Sequence, residues 1–125
     1  MSELKEANWD TIKQRPDLQI RMMILHLRTD YKALYLVKDP IARLHMTDAS
    51  YNGGRGGLLK ERRACGLAKG CDPDIWFNNV ENYCLKSKRI LYANRNACDI
   101  NRHHVKDVFK NRLPKYEKQY FTTEN

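Results

Sequence analysis

The sequence predicts an all-α fold of about five to six helices joined by short loops. Apolar residues recur at helical spacing in several segments, whereas no segment alternates polar and apolar residues for long enough to indicate a strand. Asp-Pro pairs, which often begin helices, occur at positions 39–40 and 72–73. The 125 residues are enough for one domain, and 42% hydrophobic with 30% charged residues exclude collagen-like and fully disordered chains.

The first predicted elements are a polar N-terminal segment and a long amphipathic helix. Residues 1–15 are polar apart from Trp9 and predict an arm or a short helix, so that residues 16–125 form a single helical lobe. A helix is predicted from Asp17 to Val37, because its apolar residues lie three and four positions apart. We expect that face to belong to the core. Its residues are Ile20, Ile24, Leu27, Tyr31 and Leu34, broadened by Met22 and Met23.

Proline and glycine bound the next two predicted helices. Asp39 is expected to cap a helix that begins at Pro40 and ends at Gly53 and Gly54. A second short helix is predicted from Leu58 to Ala64. A glycine-rich turn therefore joins the two helices.

Two further helices are predicted in the C-terminal half. The pair Asp72-Pro73 begins the first of them. Its expected buried face comprises Trp76, Phe77, Val80, Tyr83 and Cys84. Asp99 is expected to cap a long last helix that ends near Pro114.

The chain is strongly basic, with 23 Lys and Arg against 15 Asp and Glu and a net charge of +8. Such a charge attracts polyanions: nucleic acid, anionic membranes or an acidic cell-wall polymer. The clusters at 60–63 and 86–89, together with Tyr83 and Tyr92, are typical of nucleic-acid surfaces. The sequence has no helix-turn-helix, zinc-finger or RNA-recognition motif. A small basic module that binds nucleic acid or a host protein is therefore the alternative function.

Four cysteines lie close together in the sequence: Cys65, Cys71, Cys84 and Cys98. They lack the C-x-x-C pair of zinc and thioredoxin sites, so disulfides are favoured, with three connectivities open. We favour Cys65–Cys71, which closes a tight loop, and Cys84–Cys98, which ties two helices together. The alternatives are free thiols in a reducing cytoplasm and a metal site in which His103 or His104 joins Cys98. We expect no metal and no cofactor.

Disulfides indicate an oxidising compartment, either the periplasm or the outside of the cell. The first residues, MSELKEANWD, contain no apolar stretch, so we expect no signal peptide in this chain. No run approaches the ~18 apolar residues of a membrane span.

A glycine-rich segment spans residues 48–57. No Lys-Ser or Lys-Thr follows it and no strand is predicted before it, which argues against a phosphate-binding loop. Residues 50–56, SYNGGRG, resemble the A-Y-N-A-G-x-G segment of the lytic transglycosylase and goose-type lysozyme family. Residues 101–109, NRHHVKDVF, resemble that family's closing helix, E-T-R-x-Y-V-x-x-V, and residues 70–77, GCDPDIWF, are similar to a Cys-rich insertion of its phage-encoded members.

This resemblance covers roughly residues 17–120 and implies a lysozyme-like lobe that binds or cleaves peptidoglycan. In the family the Tyr-Asn-Gly turn lines the glycan cleft. The implied substrate-binding residues are Tyr51, Asn52, Gly53 and Gly54. Gly53 replaces the family's alanine, which we expect to be tolerated, while Ile100 and His104 replace a Glu and a Tyr of the closing helix.

The family's catalytic glutamate has no counterpart in this sequence. Cleavage needs a carboxylic acid that protonates the leaving oxygen, and the family places it in an E-S segment upstream of the long helix. Glu61 and Glu81 lie downstream and are expected to be solvated charges. The catalytic residue is therefore unknown. The implied partners are peptidoglycan strands and a missing catalytic half on the same or another chain, in the periplasm or cell wall during phage lysis or in a virion.

Overall fold

Three helices form the N-terminal part of the fold. The structure is a computed structural model that describes residues 14–120, without the side chains of Tyr116 and Tyr120. Most of the predicted N-terminal arm lies outside these residues. Helix α1 spans Pro16–Ala33, α2 spans Pro40–Gly53 and α3 spans Arg55–Leu67. As predicted, the Asp39 carboxylate caps α2 and accepts hydrogen bonds from the backbone of Ile41 and Ala42.

The C-terminal part contains a small hairpin and a helix that changes its pitch. A short 3₁₀ helix at Val80–Asn82 is followed by strands β1, Ile90–Tyr92, and β2, Arg95–Asn96, which pair in antiparallel fashion. Helix α4 spans Ala97–Lys106, continues as a π-helix at Asp107–Arg112 and then as helix α5, Leu113–Tyr120. The fold is therefore a mostly helical small domain, as predicted.

The core surrounds the indole of Trp76, which is fully buried. Helices α2, α3 and α4 and the segment between α3 and β1 all contribute to it. Its other large apolar members are Leu34, Val37, Met46, Leu58, Val80 and Val105. Both favoured disulfides are present, Cys65–Cys71 and Cys84–Cys98. Cys84 lies outside any helix, so the second bridge ties a loop, rather than another helix, to the first turn of α4.

The predicted helix after Asp72-Pro73 is wrong. Trp76 and Val80 are buried as expected, but the chain follows turns and the single 3₁₀ turn instead. Asn78 adopts a left-handed backbone conformation with φ of 63°, which ends any right-handed helix at that point. The apolar residues of this segment are therefore brought into the core by turns and not by one face of a helix.

The predicted core face of the first helix is buried only toward its C-terminal end, where Leu34 is buried as expected and Leu27 and Tyr31 are half-buried. Ile20 is 54% and Ile24 51% exposed, and Met22 and Met23 are also exposed. Helix α1 packs mainly against α2 and buries Leu18 and Asp30, and Leu34 is the residue that directly follows it. One neighbouring helix covers only part of so broad an apolar face.

The last helix begins and ends at residues other than those predicted. Asn96, not Asp99, caps α4, and Asp99 is the reciprocal member of the capping box. The last helix does not end near Pro114 but continues through it to Tyr120, and the π-helix lies directly before the proline. The unpredicted strands have three and two residues, too few for an alternating pattern to be recognised.

Candidate functional site

The Tyr51–Gly54 turn forms the junction between α2 and α3. The backbone N–H of Gly54 donates to the Ser50 carbonyl at 2.7 Å, which closes α2. Gly54 has φ of +95°, a conformation that side chains other than glycine rarely adopt. The Tyr51 ring is 39% exposed and makes an edge contact with the imidazole of His26, at 5.3 Å between ring centroids.

Asn101 joins this turn to the start of the segment that resembles the family's closing helix. Its side-chain amide donates to the Asn52 side-chain oxygen at 2.9 Å and to the Ala49 carbonyl at 3.1 Å. Asn101 is 2% exposed, so its bond to the Ala49 carbonyl is shielded from water, whereas its bond to the exposed Asn52 is shielded only in part. Two segments that are distant in sequence are therefore held together by a buried amide.

Gly53 is closely packed against the side chains of Asn101 and Lys86. A Cβ atom at this position would lie 2.6 Å from the Asn101 amide nitrogen and 2.7 Å from Cε of Lys86. The Lys86 side chain could shift, but the Asn101 amide is fixed by its two hydrogen bonds. In this structure the glycine is required, and the family's alanine would not fit without movement.

Glu61 is fully buried, so its prediction as a solvated charge is wrong. One carboxylate oxygen accepts from Lys86 Nζ at 2.9 Å and from the Leu85 backbone N–H at 3.1 Å. The other accepts from Arg102 Nη2 at 2.8 Å. Arg102 Nη1 in turn donates to the Asn101 side-chain oxygen at 2.7 Å. This chain of contacts, the Glu61 network, links α3, the loop before the hairpin and α4.

The spacing of residues on α3 indicates that Glu61 is buried. Leu58, Glu61 and Cys65 are three and four positions apart on α3, and all three are buried. The prediction of a solvated Glu61 rests instead on the general rarity of buried glutamates on helix faces. Glu81 is half-buried and accepts from the backbone N–H of Asn78 at 2.7 Å.

A pocket of about 310 Å³ lies beside the Tyr51–Gly54 turn. Its lining residues are Asn52, Gly53, Lys86, Leu91, Ala97, Ile100 and Asn101. Of the four predicted substrate-binding residues, Asn52 and Gly53 therefore line it, whereas Tyr51 and Gly54 do not. Its wall combines amides and an ammonium group with aliphatic side chains, a mixture that suits a ligand with hydroxyl groups and apolar ring faces.

A second cluster on the Tyr51 side was not foreseen from the sequence. Asp30 is 2% exposed and lies 3.5 Å from His26 Nε2 and 3.7 Å from Arg55 Nη1. Its Oδ2 atom has no hydrogen-bond partner within the described part of the chain. Asp30 shares the buried side of α1 with Leu34 four residues later, a spacing that would have indicated its burial.

His104 joins α4 to α2. Its Nε2 atom lies 2.9 Å from an Asp48 carboxylate oxygen. His45 lies nearby between the rings of Phe77 and Phe109. Burial, with a smaller contribution from the charge of Lys110, lowers the pKa of His45.

A metal site that uses Cys98 with His103 or His104 is wrong, because the Cys98 sulfur is bonded to Cys84. Over residues 14–120 we find no group of three or more His, Cys, Asp or Glu arranged to hold a metal ion. In the same part of the chain, no helix is both long and apolar enough to cross a membrane. Comparison with protein families, curated proteins and solved structures finds no match to this chain.

Proposed function

We propose that this chain is a lysozyme-like lobe that binds the glycan strands of peptidoglycan at the pocket beside Asn52. The observation that supports this most is the contact of Asn101 with Asn52. These residues belong to the two segments that resemble the lytic transglycosylase and goose-type lysozyme family. Their meeting in one pocket wall is what a shared glycan cleft requires.

The chemistry of the pocket suits an N-acetylated sugar. The Asn52 and Asn101 amides can exchange hydrogen bonds with hydroxyl and acetamido groups. Leu91 and Ile100 offer aliphatic contact to the apolar face of a sugar ring. The volume of about 310 Å³ is at the small end for ligand pockets, which fits one sugar unit of a longer strand.

Binding without cleavage is the activity we assign to this chain alone. A glycosidic bond needs a carboxylic acid placed to protonate the leaving oxygen. Glu61 is engaged by two cations, and Glu81 accepts a backbone hydrogen bond. The acid would come from a catalytic half on the same or another chain. Two disulfides are consistent with an oxidising compartment, and we place the chain in the periplasm or cell wall, in phage lysis or in a virion.

Nucleic-acid binding is the alternative, and the hairpin favours it. Tyr92 is 62% exposed and is flanked by the exposed cations Arg89 and Arg95. Stacking on an aromatic ring beside cations is how single strands are bound. The affinity of such a complex would fall steeply with salt, whereas hydrogen bonds and apolar contacts to a neutral sugar would change little, since the Lys86 charge in the pocket is paired with Glu61.

The test is co-sedimentation with purified peptidoglycan at low and high salt, with released muropeptides analysed in parallel. The Asn52→Ala variant removes a pocket amide, and Asn111→Ala is its control because Asn111 contacts Asp107 far along the last helix. We expect the wild type and the control to sediment, and Asn52→Ala to bind about tenfold more weakly. A wild type that stays in solution with peptidoglycan but binds DNA would overturn the proposal. Released muropeptides would show that an acid of this chain does act.

A further inference from the structure

We propose that the loop from Cys84 to Cys98, the 84–98 loop, docks on an anionic lipid bilayer. This inference does not rest on glycan binding, although Leu91 also lines the pocket beside the Tyr51–Gly54 turn. Strand β1 consists of Ile90, Leu91 and Tyr92, which are 56%, 57% and 62% exposed. The register of the hairpin shifts between Ile90 and Tyr92, and the whole strand is exposed. Three large apolar or aromatic side chains exposed in succession differ from the single exposed apolar residues that are normal on a protein surface, and they indicate a contact site.

The positive charge of the 84–98 loop favours an anionic partner. Residues 84–98 include Lys86, Lys88, Arg89 and Arg95 and no acidic residue. Lys86 is bound to Glu61. The other three cations are exposed, and none forms an ion pair with a carboxylate of the described chain. Lys88 and Arg89 directly precede the apolar strand, and Arg95 pairs with Tyr92 across the hairpin, so this surface is both apolar and cationic. An anionic bilayer satisfies both features, because headgroups pair with the cations while the aliphatic groups enter the interface.

The loop is also held in shape for such contact. The Cys84–Cys98 bridge closes its two ends, and the Glu61 network fixes Lys86 at its base. The tip turns through Ala93 and Asn94, both with positive φ of 49° and 58°, as in the tight turns that match strand twist. Paired strands leave fewer backbone groups without partners at the membrane surface. Tyr92 is the type of residue that favours this interface, with its ring in the apolar layer and its hydroxyl in water.

The experiment is co-sedimentation of the full chain with vesicles, under oxidising conditions and at physiological salt. One set contains equal parts of phosphatidylglycerol and phosphatidylcholine, and the other contains phosphatidylcholine alone. We expect binding to the anionic vesicles at least about tenfold tighter than to the neutral ones. Ile90→Asp should weaken this binding about tenfold or more, and Arg89→Gln about fivefold.

Matched controls separate the hairpin from the general basic charge. Leu67→Asp changes an apolar residue that is 84% exposed at the end of α3, and Arg63→Gln removes an exposed cation of the same helix. Both should bind the vesicles as the wild type does. Because all four positions are exposed, the fold should persist in each variant, which circular dichroism checks. Equal loss in the controls, or equal binding to neutral vesicles, would overturn the proposal. So would hairpin variants that lose affinity for single-stranded DNA but keep it for anionic vesicles.

Discussion

Replacing Glu61 by glutamine removes the one negative charge of the Glu61 network and keeps the side-chain shape. Lys86 and Arg102 would then face a neutral amide and each other. Their side chains are only 13% and 14% exposed, so water can compensate little of the lost charge. We expect E61Q to destabilise the fold strongly, although glutamine can still accept one hydrogen bond.

The magnitude follows from the burial of the network. Removing one partner of a buried ion pair costs about 3–5 kcal/mol, because the other charge is left uncompensated. The residual exposure of both cations places the expected loss of unfolding free energy at the lower end, about 3 kcal/mol. For a domain of 125 residues, the melting temperature falls by about 4 °C for each kcal/mol, so the expected decrease is about 12 °C.

Thermal unfolding followed by circular dichroism, with both disulfides intact, measures this change. Glu117→Gln is the matched control, because Glu117 is exposed on α5 and its loss should leave the melting temperature unchanged. A second variant that combines E61Q with Lys86→Met should recover part of the loss, since it removes one of the uncompensated cations. A decrease below about 4 °C for E61Q would show that the network is not buried as described.

The remaining predictions concern glycine, histidine and the loop disulfide. Gly53→Ala should lower the unfolding free energy by about 1–3 kcal/mol through overpacking, whereas Gly56→Ala in helix α3, where a Cβ meets nothing within 4 Å, should raise it by up to about 1 kcal/mol. Denaturant titration measures both, and equal effects would contradict the packing at Gly53. Because burial lowers the pKa of His45, the unfolded chain binds the proton more tightly, so stability should fall as the pH drops below about 6.5, and His45→Gln should reduce that slope. An unchanged slope between pH 7 and 5 would refute this. Replacing both Cys84 and Cys98 by serine should cost about 3 kcal/mol, measured by the same titration, and no loss would show that the bridge does not constrain the unfolded chain.

Local signals in the sequence were sufficient for the helices that have clear ends. Asp39 and Pro40 begin α2 as predicted, and Gly54 ends it, because capping and backbone conformation are properties of a few neighbouring residues. The pairing of the cysteines was also predicted, since short loops bring neighbours in sequence together. Helix α3 extends beyond its prediction to Arg55–Leu67, because glycines near a helix end need not terminate it.

The errors arose where contacts distant in sequence decide the outcome. Trp76 and Val80 have helical spacing, yet the chain between them forms turns, because Asn78 has a left-handed backbone. Both side chains are nevertheless buried in the core. At α1 the helix itself is predicted correctly, but the burial of its apolar face is not. Periodicity shows that a helix face is apolar, and it does not show that another element covers that face. The family resemblance stays a hypothesis of the sequence. The contact between Asn52 and Asn101 is an observation of the structure that does not depend on this resemblance.

The Glu61 network connects the stability of the fold to the candidate site. Arg102 binds both the Glu61 carboxylate and the oxygen of Asn101, while the nitrogen of the same Asn101 amide holds Asn52. The orientation of that amide is thus fixed from both ends, because its oxygen must face a cation and its nitrogen an acceptor. Asn101→Asp would keep the first contact and turn both donations of the nitrogen, to Asn52 and to the Ala49 carbonyl, into repulsions between oxygens. Because the contact with the Ala49 carbonyl is buried, we expect this variant to lose stability as well as affinity for peptidoglycan. Asn52→Ala removes the pocket amide alone and should lose affinity with little loss of stability, as sedimentation and denaturant titration on the same samples would show. Equal losses of stability in the two variants would mean that Asn52 supports the fold rather than the pocket.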